Sequence, residues 1–131
     1  MYKHEVNIRV RYSETDQMRY VYYGVYAQYF EVGRVELLRS LGITYKDLEE
    51  QGFLLPVVNY NIDYKKPAFY DDELIIETTL QDLQRSKIIF EYKTLNKKNE
   101  IINTASITLV FVNKSTNKPC SAPKILLEKL M

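Results

Sequence analysis

The sequence predicts an α+β domain: one long helix set against a five-stranded antiparallel sheet. Three observations carry that expectation. A single run of helical period extends from Gly24 to Leu41, runs of period two lie on both sides of it, and short polar connections separate successive strand candidates, which favours antiparallel pairing. The 131 residues suffice for one core, and no linker, repeat or low-complexity stretch divides residues 1–131 into smaller units.

Residues 3–11 open as a half-buried strand, with His4, Val6, Ile8 and Val10 pointing one way and Lys3, Glu5, Asn7, Arg9 and Arg11 the other. The period then changes. Tyr26, Phe30, Gly33, Leu37 and Leu41 recur at helical spacing, opposite a largely polar face of Gln28, Glu31, Val35 and Arg39. A glycine in mid-helix costs about 1 kcal/mol relative to alanine, so Gly33 is expected where the helix backbone closely approaches another, such as a sheet wrapped around it. Gly42 fits a stop just past the helix, and Thr44 to Asp47 resembles a capping box for a short second helix ending near Gly52.

Four strands are expected next. Val58, Tyr60, Ile62 and Tyr64 alternate with Asn59, Asn61, Asp63 and Lys65; after Pro67 and the Asp71-Asp72 turn come Leu74, Ile76, Thr78 and Leu80. Ser86 to Leu95 carries Ile88, Phe90 and Tyr92 on one face, and beyond a turn at Asn96–Asn99, Ile101 to Val112 is the longest strand candidate. Pro123 suits the first turn of a short helix from Lys124 to Leu130. One helix covers one sheet face only in part, and Ile75, Ile102, Val110 and Val112 are expected on the other face or edge. A symmetric dimer, at least, is expected to cover them.

Composition narrows the function classes. Hydrophobic residues at 46% and charged residues at 27% suit a soluble globular protein, and a formal charge of +1 gives no electrostatic argument for nucleic acid or an anionic membrane as partner. Met1-Tyr2-Lys3-His4-Glu5 lacks the apolar stretch of a signal peptide, and no long uncharged apolar run could span a membrane. Cys120 stands alone, so no internal disulfide is possible, and a cytoplasmic location is expected. With one cysteine and one histidine (His4), neither a zinc site nor a Ser-His-Asp set is expected. Twelve tyrosines accompany no tryptophan, and Tyr20, Tyr22, Tyr23 and Tyr26 crowd the helix start with Tyr29 just beyond. Tyrosine pairs an apolar body with a polar tip, which suits both core packing and ligand clefts.

The chemistry concentrates between the first strand and the long helix, where Tyr12 to Gly24 holds two carboxylates, Glu14 and Asp16. A helix start offers unpaired backbone N–H groups and the positive end of the macrodipole. A carboxylate beside such donors can attack, or deprotonate a water, while the donors hold a developing oxyanion. The arrangement points to hydrolysis of an activated carbonyl. Aspartate just before a helix also serves as a turn or capping residue, and spacing alone leaves that reading open. Glu14 is expected to orient the loop or face solvent, and as a second carboxylate it could raise the pKa of Asp16 by like-charge repulsion. Glu31 and Arg34, three apart, are expected to form an ion pair.

These residues match a known pattern. Tyr12-x-Glu14-Thr15-Asp16, Val21-Tyr22-Tyr23-Gly24-x-Tyr26 and Tyr29-Phe30-Glu31-x-x-Arg34, with the later Tyr64-Lys65-Lys66-Pro67-Ala68-x-Tyr70-Asp71-Asp72-Glu73-Leu74, resemble the hotdog-fold acyl-CoA thioesterases. The nearest group is that of 4-hydroxybenzoyl-CoA thioesterase and the YbgC-like enzymes. The resemblance implies a five-stranded sheet wrapped around the helix, and dimers with active sites at the subunit interface, often paired into tetramers. It implies that Asp16 is the catalytic aspartate, as nucleophile giving an acyl-enzyme anhydride or as general base for water. It places the oxyanion donors at the backbone N–H groups of Tyr23 and Gly24. No metal or redox cofactor is implied, because coenzyme A is part of the substrate.

Two positions depart from the pattern: Arg19 stands where the family usually has glycine, and Val25 where it usually has asparagine. Glu14, Arg19 and Tyr20 are expected along the substrate. Arg85, Ser86 and Lys87, opening a strand after a turn, are expected near a coenzyme A phosphate, as are Lys65 and Lys66. The resemblance implies an acyl-CoA or acyl-carrier thioester as substrate, and the tyrosine cluster permits either an aromatic or a short to medium aliphatic acyl group. The alternative from another class is a non-catalytic acyl-thioester-binding or interaction module on the same scaffold.

Overall fold

The computed structural model describes residues 2–130. Strand β1 (Tyr2–Arg9) leads through two 3-10 turns, Tyr12–Glu14 and Tyr23–Val25, into helix α1 (Tyr26–Ser40), and α2 (Tyr45–Glu50) follows. The rest comprises β2 (Phe53–Leu54), β3 (Val57–Tyr64), β4 (Glu73–Gln84), β5 (Lys87–Leu95), β6 (Ile101–Val110), β7 (Val112–Asn113), β8 (Lys118–Pro119) and α3 (Lys124–Leu130). Five strands form one antiparallel sheet in the order β1-β4-β5-β6-β3, and α1 packs on its β1 and β4 side. This is the expected α+β hotdog arrangement. The short strands β2, β7 and β8 make a second small sheet that the sequence does not announce, because two residues carry no readable period.

Gly33 explains how the helix seats. A Cβ there would stand 2.3 Å from Thr78 Oγ1 and 3.2 Å from Ile76 Cγ2, so only a bare backbone fits against β4. The helix ends as a Schellman motif. The Gly42 N–H donates to Arg39 O and the Ile43 N–H to Leu38 O, each at 2.9 Å, with Gly42 at φ +83° and Leu38 and Ile43 both buried. Thr44 Oγ1 then accepts from the Asp47 N–H at 3.1 Å and starts α2.

The buried stripe of α1 is wider than its period suggests: Tyr29, Arg34 and Leu38 join Tyr26, Phe30, Gly33 and Leu37. The Glu31–Arg34 pair does not form. Glu31 is exposed, while Arg34 is buried and donates from Nε to the Tyr45 hydroxyl at 3.0 Å, because its side chain turns toward α2 rather than back along its own helix.

Two further expectations are corrected. The longest strand is β4 with 12 residues, not the Ile101–Val112 segment. That segment breaks at Phe111, whose N–H donates to Ser86 O and whose carbonyl accepts from the Cys120 N–H, so Val112 joins the small sheet. Ile102 lies in the core, not on the outer face. It is the extra residue where the β5–β6 register slips between Thr94↔Asn103 and Leu95↔Ile101, and this bulge lets Ile102 and Asn103 both be buried. β1 and β3 are the two edges of the sheet, and at the β3 edge Val57, Val58, Tyr60 and Tyr64 are exposed.

Candidate active site

The loop between β1 and α1 is pinned on both sides. Val10 exchanges backbone bonds with Asp71 and Asp72, the Val21 N–H donates to Ala68 O at 2.8 Å, and the Tyr22 N–H donates to Glu14 O at 2.9 Å. Bridges Thr15↔Val21 and Tyr20↔Phe69 close the loop against the segment before β4. Within it Asp16 builds a side-chain turn. Its Oδ1 accepts from the Met18 N–H at 2.9 Å and the Tyr20 N–H at 3.3 Å, its own N–H donates to Tyr20 O, and its carbonyl accepts from the Arg19 N–H. Oδ2 has no hydrogen-bond partner among the described residues.

Arg19 has φ +69°. This left-handed conformation favours glycine, and an L side chain enters it at a cost of about 1–2 kcal/mol. The departure at Arg19 therefore leaves the turn's backbone in the left-handed form. Val25 is the N-cap of α1 and supplies no side-chain cap bond. Its N–H donates to Tyr22 O at 2.9 Å, which closes the 3-10 turn ahead of the helix. The Tyr23 and Gly24 N–H groups find no acceptor among the described residues. The Tyr64 hydroxyl donates to Tyr23 O at 3.2 Å and ties the helix start to β3.

Glu14 and Asp16 divide two roles. Glu14 is buried, accepting from the Arg11 N–H and the Tyr29 hydroxyl at 2.8 Å each, and from Arg11 Nη2 at 2.9 Å. Burial alone would raise its pKa, but these hydrogen bonds and the guanidinium hold the carboxyl below the ordinary value. Glu14 thus shapes the loop from beneath and lines no cleft with Asp16. Burial also pushes up the hydroxyls of Tyr26 and of Tyr29, the latter reinforced by Glu14, and Tyr60 is pushed up to about 12. These tyrosines stay neutral near pH 7.

Asp16 stands between two hollows. An inner cleft of about 300 Å³ is lined by Asp16, Tyr20, Val21, Tyr23, Tyr26 and Tyr64, with Lys65 and Lys66 at its side. An outer groove of about 920 Å³ runs past Asp16, Arg19, Ser13, Phe69, Tyr12 and Tyr70, the last two in edge-to-face contact with ring centroids 5.5 Å apart. Asp16, Arg19, Tyr20 and Tyr23 therefore gather as expected.

The Arg85–Lys87 cluster does not. It forms the β4–β5 hairpin, where Arg85 donates to Ser121 Oγ at 3.3 Å and the Ser86 carbonyl accepts from Phe111. The 12 residues of β4 span roughly 35–40 Å at the usual rise per residue, so within one chain Arg85, Ser86 and Lys87 lie at the opposite end from Asp16. Sequence reasoning singled out Tyr26 in the helix-start cluster but passed over Tyr12, Tyr64, Phe69 and Tyr70 as lining residues, although the Tyr64–Leu74 landmark already marked the stretch that supplies three of them. Among the described residues no group of three or more His, Cys, Asp or Glu side chains is placed to hold a metal ion.

Comparison with known proteins gives the geometry its family. A family profile described as the thioesterase-like superfamily matches residues 10–130. Bacillus subtilis YneP is 39% identical over 119 residues, covering 91% of this chain and 86% of its own. The acyl-CoA thioesterase YbgC of Haemophilus influenzae is 34% identical over 118 residues, covering 89% and 86%. The crystal structure of a DHNA-CoA thioesterase from Staphylococcus aureus superposes with a TM-score of 0.89 at 36% identity, covering 92% of this chain and 81% of that one. With its hotdog fold and a match that spans nearly all of its length, the chain belongs to the thioesterase-like superfamily.

Proposed function

We propose that this thioester hydrolase cleaves acyl-coenzyme A to a carboxylic acid and free coenzyme A at Asp16. The observation that carries the reading is the position of Asp16, one carboxylate oxygen unclaimed, between two hollows and beside a helix start with free N–H groups. A thioester has two arms either side of its scissile C–S bond. The aromatic inner cleft suits the acyl arm, and the outer groove with Arg19 suits the thiol arm.

With Asp16 as general base, water adds to the carbonyl carbon and gives its proton to Oδ2. The Tyr23 and Gly24 N–H groups hold the oxyanion, and collapse breaks the C–S bond with the proton passing to the departing thiolate. With Asp16 as nucleophile, the carboxylate adds first, thiolate leaves, and water cleaves the resulting anhydride. Both routes use the same residues, and neither needs a cofactor. The thiol carrier is coenzyme A, as in the relative's name, with a carrier-protein thioester as the other candidate.

The working unit is a dimer built on the free β3 edge, where Val57, Val58 and Tyr64 are 48%, 56% and 49% exposed. An unpaired edge strand with apolar side chains is a ready surface for a second copy. The partner subunit also offers the one route by which an Arg85–Lys87 hairpin reaches coenzyme A, and pairs of such dimers would make the tetramer. Light scattering at micromolar concentration tests this, and a monomer there would remove the dimer from the account. A cytoplasmic site of action belongs to the same reading; no helix among the described residues is long and apolar enough to cross a membrane.

The deciding experiment is free-thiol release over a panel of aromatic and aliphatic acyl-CoA thioesters. Turnover of at least one is expected. Binding without turnover of any would make the protein an acyl-thioester-binding module instead.

A further inference from the structure

Two arginines occupy the left-handed region of the backbone, Arg19 at φ +69° and Arg85 at φ +38°. Glycine would avoid the steric cost at either position. Arg85 is tied into the chain: its Nε donates to Ser121 Oγ at 3.3 Å, and its carbonyl accepts from the Ala122 N–H at 2.7 Å. Arg19 is not. Its N–H donates to Asp16 O, a bond that any residue except proline would supply. Its guanidinium has no hydrogen-bond partner and no carboxylate within 4.0 Å among the described residues. A strained position filled by a charged side chain with no use inside the chain points to a use outside it.

The location of Arg19 narrows that use. Its side chain is exposed and lines the outer groove, not the inner cleft. Around it stand the Asp16 carboxylate, the neutral side chains of Ser13 and Gln17, and the rings of Tyr12, Phe69 and Tyr70. Among the residues that line this groove Arg19 is the one cation. With the thioester carbonyl at Asp16, the groove takes the sulfur side of the scissile bond. Outward from that sulfur a pantetheine arm is neutral, with two amides, a hydroxyl and a carbon bearing two methyl groups. The rings and the neutral polar side chains suit that stretch. The first charge along the arm is the 4′-phosphate, and a guanidinium fork matches phosphate oxygens better than any other side chain does.

We propose that Arg19 binds the 4′-phosphate of the substrate's pantetheine arm. The contact accounts for an arginine where the backbone favours glycine. Coenzyme A and carrier-protein thioesters share this phosphate, so Arg19 serves either thiol carrier. The inference rests on the proposed function only in taking the outer groove as the thiol arm.

The test measures binding rather than turnover. S-phenacyl-pantetheine, S-phenacyl-4′-phosphopantetheine and phenacyl-coenzyme A are thioethers that cannot be hydrolysed, and calorimetry at low ionic strength gives a Kd for each. The wild-type protein is expected to bind the phosphorylated arm about fivefold or more tightly than the unphosphorylated one. In Arg19→Gly, which relaxes the backbone, that ratio should fall to within about twofold of unity. The further step from phosphopantetheine to coenzyme A should keep its wild-type ratio. Arg19→Lys, which keeps the charge, should hold the phosphate ratio above that of Arg19→Gly. The holo carrier protein alkylated with the same phenacyl group separates the two sources. Whichever of it and phenacyl-coenzyme A binds more tightly names the thiol carrier, and Arg19→Gly should weaken that ligand by the same factor. A smaller phosphate preference in the wild type overturns the proposal, as does one that Arg19→Gly leaves unchanged. Equal losses in the glycine and lysine variants would rule out a charge contact. A loss confined to the coenzyme A step would place Arg19 on the nucleotide and overturn the proposal too. Failure to hydrolyse any acyl-CoA would overturn the proposed function and leave this binding comparison standing.

Discussion

At the β4–β5 hairpin end of the sheet, Leu83, Ile88, Leu109 and Val57 line up across four strands with no polar side-chain atom. At the other end the matching row holds Ile76, Thr94, Asn103 and Tyr64, three of them polar, near a helix start with free N–H groups. Backbone strain does not separate the ends, since Arg19 in the site loop and Arg85 in the hairpin are both left-handed, at φ +69° and +38°. The side chains do: the first row is apolar throughout, and the second leaves buried donors and acceptors of Thr94 and Asn103 without a partner among the described residues. The two carboxylates repeat the contrast at close range. Glu14 spends both oxygens on Arg11 and Tyr29, whereas Asp16, two residues on, keeps one oxygen free at the meeting of two hollows.

Substitutions at closely packed or fully hydrogen-bonded positions should cost stability, and relief of the left-handed backbone at Arg19 should not. The largest stability effect is expected from Gly33→Ala, whose Cβ would lie 2.3 Å from Thr78 Oγ1. Overpacking of this kind costs about 3 kcal/mol, read as a lower urea midpoint with unchanged slope. A midpoint equal to wild type would show that helix and sheet separate freely there.

Glu14→Gln comes next, with a loss of about 1.5–2 kcal/mol at neutral pH from its charge-assisted hydrogen bonds. Its pH dependence has a definite sign. The folded-state pKa of Glu14 is lowered from 4.5, so its contribution is complete above that value and is lost as pH falls through the lowered one. The stability gap between wild type and Glu14→Gln should therefore be constant from pH 6 to 8 and close on acidification. A gap that widens in acid would contradict the assignment.

The smallest effect is expected from Arg19→Gly. Relief of the left-handed arginine, about 1–2 kcal/mol, is opposed by glycine's greater unfolded-state entropy, about 0.5–1 kcal/mol. A net gain of about 0.5 kcal/mol in thermal unfolding is expected, and a clear loss would reveal a stabilising role for the guanidinium.

The same division governs what the sequence made legible. Periodicity found β1, α1 and the four later strands, and single glycines located the helix–sheet approach at Gly33 and the helix end at Gly42. Local pattern could not reach features fixed by pairing. Ile102 turns inward because of a register slip against β5, and Arg34 ignores Glu31 because Tyr45 on another helix is nearer. The turn at Arg85–Lys87 was legible, but not the end of the sheet at which it sits. Asp16 was legible from its place before a helix and from the motif around it.

The central claim, that Asp16 performs the hydrolysis, is tested most directly by Asp16→Asn. Asparagine retains the Oδ1 acceptor for the Met18 and Tyr20 N–H groups, so the loop should survive the change. Thiol release from the best acyl-CoA substrate is expected to fall by about 10²–10⁴-fold, with the affinity for a non-hydrolysable thioether analogue of that substrate and the melting temperature essentially unchanged. Turnover within a few-fold of wild type would contradict the account and move the chemistry away from Asp16.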